Sequence, residues 1–133
     1  MRAQISIYSR NIEKSVAFYR KLFGVTPQKQ TEGYAKFDLQ KPALNFSMQS
    51  GSVLSTVAHF GIEVDSIREV EEWTIRLSEL GLIERVEKGV NCCYARQDKV
   101  WLRDPDGNSW EIFHVLEQLP IDKNMTEKST CCA

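Results

Sequence analysis

Apolar residues recur along the chain with two different periods, and each period predicts a different element. Residues 3–8 alternate between apolar and polar side chains, which predicts a strand. After Asn11 the apolar positions follow at intervals of three and four, which predicts an amphipathic helix that ends at Gly24. Residues 33–39 and 44–48 predict two further strands that run in opposite directions.

The same order of elements begins again after a linker at Gln49–Leu54. Residues 58–64 predict a strand, and Ser66 with Glu69 predicts the capping box of a helix that ends at Gly81. The remaining predicted strands cover residues 82–87, 91–95, 99–103 and 109–115, with a turn rich in Asp, Pro, Gly and Asn at residues 104–108. The pattern predicts an α+β fold made of two tandem βαβββ modules.

This internal duplication predicts one domain over residues 1–117, with modules at about 2–49 and 56–116. A module that cannot close its own sheet is expected to pair with its copy, which leaves a concave mixed sheet between the two helices. Residues 118–133 contain scattered charges and no apolar period, so we expect a flexible C-terminal tail.

Four polar residues fall on the strands that are predicted to line this concave sheet: Gln4, Asn45, His59 and Glu111. An imidazole, a carboxylate and an amide oxygen form a mixed nitrogen and oxygen ligand set that suits Fe(II), and Zn(II), Ni(II), Mn(II) or Co(II) would also fit. A single histidine near the start of a strand is more often structural than a ligand. Glu111, however, stands among large apolar residues, where a carboxylate needs either solvent or a cation.

The four cysteines of the chain form two adjacent pairs, Cys92-Cys93 and Cys131-Cys132. Neighbouring Cα atoms lie about 3.8 Å apart, which is too close for an unstrained disulfide. Adjacent residues of a strand also point to opposite faces, so both thiols of the first pair cannot face one core. Thiolates are soft ligands, and the first pair is therefore a candidate site for one thiophilic atom.

Composition narrows the range of partners. The 133 residues include 17 Lys plus Arg and 18 Asp plus Glu, so the net charge of -1 provides no general attraction to nucleic acid or to an anionic membrane. No apolar run approaches the roughly 20 residues of a membrane span, and the N-terminal residues do not read as a signal peptide. We expect a cytoplasmic protein, monomeric or homodimeric, that acts on a small molecule.

The duplicated unit, with Gln or His on the first strands and Glu on the last, resembles the vicinal oxygen chelate superfamily, which includes glyoxalase I, bleomycin-resistance proteins and extradiol dioxygenases. The resemblance covers residues 2–116. Within it, Lys21-Leu22-Phe23-Gly24, Gly33-Tyr34-Ala35-Lys36-Phe37 and above all the segment from Cys92 to Trp101 resemble the carbon–arsenic lyases and the related cadmium-induced proteins.

The resemblance implies an Fe(II)-dependent dioxygenase that uses dioxygen to cleave the carbon–arsenic bond of trivalent organoarsenicals, methyl or aromatic, and releases arsenite. It also implies a set of metal ligands, which match Gln4, His59 and Glu111.

The arsenic-binding pair of these lyases matches Cys92 and Cys93, and Tyr94 and Lys99 are candidate catalytic residues beside it. Two alternatives remain open. One is a protein that binds cadmium or arsenic through its thiols without turnover. The other is a glyoxalase-like metal-dependent isomerase, which uses a carboxylate base and needs no thiols.

Overall fold

The computed structural model describes residues 2–52, 57, 59–92 and 95–118, apart from the side chains of Cys92, Ala95 and Gln118. The elements of this part of the chain are β1 (Ala3–Ser9), α1 (Ile12–Phe23), β2 (Lys29–Thr31), β3 (Tyr34–Gln40), β4 (Ala43–Ser50), β5 (Phe60–Glu63), α2 (Ile67–Glu79), β6 (Ile83–Cys92), β7 (Ala95–Arg103) and β8 (Ser109–Gln118). Neither of these two helices combines the length and the hydropathy that crossing a membrane requires.

The chain forms two compact units, each with its own sheet. The first unit comprises Met1–Val57 and takes in Asp104–Asn108, and the second contains the rest of the chain. The strand order is β1-β4-β3-β2 in the first sheet and β5-β8-β7-β6 in the second. In both sheets the first strand of the unit is parallel to the last, and the other pairs are antiparallel. The α+β class and the repeated βαβββ order are confirmed.

Helix α1 has the bounds that the sequence predicts because both of its ends are set by local chemistry. The Asn11 side chain accepts a hydrogen bond from the Lys14 backbone N–H at 3.0 Å, and Gly24 ends the helix with a φ of 70°. The buried face consists of Ile12, Ser15, Val16, Phe18, Tyr19 and Leu22. The Tyr19 ring packs on the Phe46 ring of β4, with 4.6 Å between centroids, so an aromatic cluster joins this helix to its sheet.

Helix α2 begins at the predicted cap, with one difference in detail. The Ser66 hydroxyl accepts a hydrogen bond from the Glu69 backbone N–H at 3.2 Å, but the Glu69 carboxylate accepts one from the Asp65 N–H rather than from Ser66. The apolar period of the sequence predicts one apolar face made of Ile67, Val70, Trp73, Leu77 and Leu80. That face was predicted too long, because Ile67 is 41% exposed and Leu80 is 38% exposed. These two residues stand at the ends of the helix, and the buried apolar residues of α2 are Val70 and Leu77.

The predictions for β6 and β7 were wrong at their boundaries. Residues 82–87 and 91–95 are not separate strands, because β6 runs without a break from Ile83 to Cys92 and pairs with β7, which begins at Ala95 rather than at 99. The strand register shifts between residues 87 and 90, where Gly89 has a φ of 60°. This bulge interrupts the alternation of side chains without ending the strand. The exposed strand β2 was missed because it contains only polar residues.

The connection between β7 and β8 is a turn, as its composition predicts, and Asp104 organises it. One carboxylate oxygen of Asp104 accepts hydrogen bonds from the backbone N–H groups of Asp106 and Asn108. The other accepts hydrogen bonds from the Asn108 side-chain amide and from the Tyr19 hydroxyl, which lies 2.6 Å away. Protein donors therefore reach both oxygens, which is the arrangement of a structural turn rather than of a calcium loop.

Asp106 anchors the same turn to the start of α1. It accepts hydrogen bonds from the Arg10 backbone N–H and guanidinium and from the Ser15 hydroxyl. Burial raises the pKa of Asp106. The hydrogen bonds from Arg10, together with those from Ser9 and Ser15, lower the pKa by more than burial raises it. The net result is a pKa below the ordinary value of an aspartate. Ionised Asp106 is therefore part of the folded state of the first unit.

Candidate functional site

The second unit brings His59 and Glu111 together. His59 stands immediately before β5, and Glu111 lies on β8, which is the parallel neighbour of that strand. The distance between His59 Nε2 and Glu111 Oε1 is 3.6 Å. The Glu111 side chain is 8% exposed and the His59 side chain is 24% exposed. An imidazole nitrogen and a carboxylate oxygen thus lie side by side at a largely buried position.

Lys99 on β7 is the cation that Glu111 requires. Its Nζ donates a hydrogen bond to Glu111 Oε2 at 3.0 Å, and the Lys99 side chain is only 1% exposed. The same ammonium group lies 5.5 Å from the centre of the Trp101 ring and 5.9 Å from that of Phe113. The expectation that a carboxylate in this apolar strand has solvent or a cation is confirmed, since the cation is Lys99. One oxygen of Glu111 is held by Lys99, while the other lies on the side of His59.

Trp101 closes one side of this pair, and the sequence analysis did not single it out. Its ring meets the His59 ring edge to face, with 5.4 Å between centroids, and the Arg85 guanidinium lies 4.8 Å from the Trp101 ring. Among the described residues, His59 Nδ1 and Trp101 Nε1 are buried without a hydrogen-bond partner. The alternation of β7 contained a signal for Trp101, because residues 99 and 101 of one strand point to the same face.

The His59 and Glu111 pair fits the donor chemistry of a divalent metal site. Two donors bound to one ion at about 2.1 Å lie about 3 to 3.5 Å apart, so the separation of 3.6 Å needs only a small adjustment. In the described ranges no three His, Cys, Asp or Glu side chains converge as a metal site. A metal site at this pair would therefore need at least one further donor. That donor is either a described residue of another type or a residue outside the described ranges.

Gln4 belongs to the first unit, where it lies exposed on β1 opposite half-buried Asn45 on β4. The strand registers distinguish the two pairs of predicted site residues, because Gln4 is the register partner of Asn45 whereas His59 is not the register partner of Glu111. The residue opposite Glu111 is Gly61, two positions after His59 and on the same face of the strand.

The predicted thiol site falls largely outside the described residues. Cys93, Tyr94, Cys131 and Cys132 and the side chain of Cys92 are not described. The backbone of Cys92 is described, as the last residue of β6 and the register partner of Ala95. The assignment of Cys92 and Cys93 to arsenic, and of Tyr94 to catalysis, therefore remains a prediction.

Comparison with known proteins gives a consistent group of relatives. The family model described as the glyoxalase/bleomycin resistance protein/dioxygenase superfamily matches residues 2–112. A trivalent organoarsenical cleaving enzyme of Bacillus sp. (strain MD1) is 42% identical, covering 98% of this chain and 81% of the relative. An enzyme of the same name from Thermomonospora curvata is 38% identical, covering 98% of this chain and 87% of the relative. The cadmium-induced protein CadI of Mycobacterium tuberculosis (strain H37Rv) is 34% identical, with 98% and 92% covered.

Solved structures agree with this group at the level of the fold. A lactoylglutathione lyase from Agrobacterium tumefaciens superposes with a TM-score of 0.67 at 22% identity, covering 86% of this chain and 92% of that one. A glyoxalase/bleomycin resistance protein/dioxygenase from Alicyclobacillus acidocaldarius superposes with a TM-score of 0.70 at 14% identity, covering 88% and 92%. At these identities the likeness establishes the fold alone.

Proposed function

Because the chain belongs to the glyoxalase/bleomycin resistance protein/dioxygenase superfamily, we propose that it is an Fe(II)-dependent dioxygenase that cleaves the carbon–arsenic bond of trivalent organoarsenicals and releases arsenite. The observation that carries this proposal is the match, along nearly the whole chain, to two enzymes named for cleaving trivalent organoarsenicals. The chemistry of the His59 and Glu111 pair supports it, since it provides a nitrogen donor and an oxygen donor side by side.

In this proposal His59 Nε2 and Glu111 Oε1 bind the metal, and Gln4 is the third ligand that the resemblance implies. Fe(II) held by three protein ligands would supply open coordination positions for dioxygen and the capacity to oxidise the substrate. The same set of donor atoms would also coordinate Ni(II), Co(II), Mn(II) or Zn(II). Gln4 lies on β1 and Glu111 lies on β8, so the pairing of these strands with β4 and β5 fixes both backbone positions. His59 immediately precedes β5.

The first role of Lys99 in this proposal is to orient the Glu111 carboxylate. Its hydrogen bond to Oε2 holds the carboxylate in one orientation and leaves Oε1 on the side of His59. An ammonium group carries three N–H donors, so the same Lys99 also has the chemistry to donate to an anionic oxygen of the substrate. The Trp101 ring packs edge to face with the His59 ring and so restricts the orientation of the imidazole.

Cys92 and Cys93 bind the arsenic atom in this proposal. Two thiolates that grip one trivalent arsenic would fix the orientation of its carbon–arsenic bond, which is catalysis by positioning. Tyr94, the next residue, is a candidate to orient an oxygen or the leaving group. The organic group on arsenic is not bonded to either thiol and would stay accessible to dioxygen. For methylarsonous acid the reaction balances as CH3As(OH)2 + O2 → As(OH)3 + CH2O, so the carbon would leave as formaldehyde and dioxygen would be the oxidant.

The test is anaerobic reconstitution of the full chain with Fe(II), followed by addition of air and methylarsonous acid, with arsenite measured by speciation. Cys92→Ser and Cys93→Ser are expected to abolish arsenite release. The variant Cys131→Ser/Cys132→Ser is the matched control, because it removes the other adjacent pair, and it is expected to retain activity. Arsenite that forms without iron, without oxygen or without Cys92 and Cys93 would contradict the proposal.

A second candidate function is a protein that binds cadmium or arsenic through its thiols without turnover. The observation that favours it is the 34% identity to a cadmium-induced protein over 98% of this chain. Methylarsenic that stays bound but intact in the same assay, with no oxygen consumed and with tight Cd(II) binding, would support this candidate. A glyoxalase-like isomerase needs no thiols, so isomerase activity that survives the loss of both Cys92 and Cys93 would indicate that alternative.

A further inference from the structure

Gly61 lies directly opposite Glu111 in the parallel pair of β5 and β8. A Cβ atom added to Gly61 would lie 3.2 Å from Glu111 Cγ, 3.4 Å from Glu111 Oε1 and 3.1 Å from Phe113 Cε1. The two distances to carbon atoms, 3.2 Å and 3.1 Å, are shorter than ordinary van der Waals contacts, which begin at about 3.5 Å between carbon atoms. The Glu111 side chain therefore lies across the space that the missing side chain of Gly61 leaves open.

The backbone of Gly61 does not require a glycine. The glycines with a positive φ in the described residues are Gly24, Gly81, Gly89 and Gly107. A glycine inside a strand costs about 0.5–1 kcal/mol relative to alanine, and Gly61 does not use the conformational freedom that usually offsets this cost. What this position uses is the absence of a Cβ atom.

In the first unit, the strand position that corresponds to Gly61 in register has a long side chain, and the residue opposite it is smaller than Glu111. There β1 and β4 pair in parallel as β5 and β8 do, and Gln4 stands opposite Asn45 as Gly61 stands opposite Glu111. This strand pairing therefore accommodates a long side chain at the position of Gly61. The difference lies in the partner, because Glu111 is longer than Asn45 and lies close over the backbone of β5.

We infer that Gly61 is a positioning residue for Glu111. Without a Cβ atom at Gly61, the carboxylate can lie over β5 with Oε1 3.6 Å from His59 Nε2 while Oε2 stays bonded to Lys99. This inference rests on the proposed function insofar as it takes His59 and Glu111 as metal ligands. A metal site tolerates errors of about 0.2 Å in its ligand distances. A shift of Glu111 by a few tenths of an ångström therefore affects metal affinity before it affects the fold.

The test compares Gly61→Ala with Gly33→Ala in the full chain. Gly33 is the matched control because a Cβ atom there would meet only Ser50 Cβ at 3.9 Å, an ordinary contact. Co(II) affinity is measured by calorimetry, and the melting temperature of the metal-free protein is measured alongside. We expect Gly61→Ala to weaken Co(II) binding by about 10- to 100-fold, the range found when supporting residues of a metal site are changed. Gly33→Ala is expected to bind as the unchanged protein does.

Phe113 needs its own control, because the added Cβ atom also approaches its ring. The double variant Gly61→Ala/Phe113→Leu is compared with Phe113→Leu alone, and this comparison also serves if Gly61→Ala by itself does not fold. Weakening that persists in the double variant assigns the effect to Glu111 and supports the inference. Weakening that disappears there, or unchanged Co(II) affinity in Gly61→Ala, overturns it.

The same experiment separates this inference from the proposed function. If the unchanged protein binds Co(II) and His59→Ala abolishes that binding, the metal assignment stands whether or not arsenite is ever released. The inference about Gly61 then survives a failure of the proposed activity. If His59→Ala leaves Co(II) affinity unchanged, the metal assignment and the inference about Gly61 both fail.

Discussion

The buried pair of Lys99 and Glu111 makes the most direct prediction about stability. Lys99→Met removes the ammonium group and keeps most of the apolar stem, so the change isolates the charge. The Lys99 side chain is 1% exposed and that of Glu111 is 8% exposed, so solvent cannot replace the lost partner. Of the two charged or titratable partners that the described residues give Glu111, His59 alone would then remain beside the buried carboxylate.

The expected magnitude follows from the geometry. At an effective dielectric constant of about 20, unit charges 3.0 Å apart attract each other by about 5 to 6 kcal/mol, and the cost of desolvation offsets much of this. Removal of one partner leaves the other charge buried, which typically costs about 3–5 kcal/mol. We expect a loss of about 3 kcal/mol in the free energy of unfolding, or a fall of about 10 °C in melting temperature for a domain of this size.

The assay is urea unfolding of Lys99→Met, Glu111→Gln and the double variant, with exposed Lys88→Met on β6 as the matched control. Because the two groups interact, the double variant should lose less stability than the two single variants combined, by more than about 1 kcal/mol. Co(II) at about 100 times its dissociation constant should restore about 2.7 kcal/mol to Lys99→Met if Glu111 binds metal. A loss below about 0.5 kcal/mol in Lys99→Met, or additive losses, would refute this reasoning.

Three further predictions concern the first unit. Tyr19→Phe removes the hydroxyl that donates to buried Asp104 at 2.6 Å, so we expect a loss of about 1–3 kcal/mol in urea unfolding, and a loss below about 0.5 kcal/mol would contradict this. Asn11→Ala removes the cap of α1 and should cost about 1 kcal/mol in the same assay, whereas an unchanged midpoint would show that the cap is dispensable. Because the folded-state pKa of Asp106 lies below its ordinary value of 3.8, its contribution to stability is present above about pH 3.8 and is lost as the pH falls through the lower folded-state pKa. The difference in melting temperature between the unchanged protein and Asp106→Asn should therefore shrink below pH 3.8, and a constant difference from pH 6 to pH 2 would contradict the assignment.

Much of the fold could be predicted because its signals are local. The apolar period and the Asn11 and Gly24 caps lie within a few residues of α1, and the observed helix has those bounds. The repeated order of elements was readable for the same reason, since each module repeats the same sequence of periods. The exposed strand β2 and the bulge at Gly89 were missed, because a polar edge strand and a shift in register leave no periodic pattern.

The candidate site likewise has some features that the local sequence determines and others that depend on the tertiary structure. The residues around Glu111 were enough to predict that its carboxylate has a cation or solvent, because a charge among large apolar side chains is costly in any fold. Only the tertiary structure decided that the cation is Lys99, that His59 lies beside the other oxygen, and that Gly61 rather than His59 stands opposite Glu111. Burial and periodicity act within a segment, whereas the register between β5, β7 and β8 is set by hydrogen bonds between strands far apart in the chain, and that register determines which side chains meet.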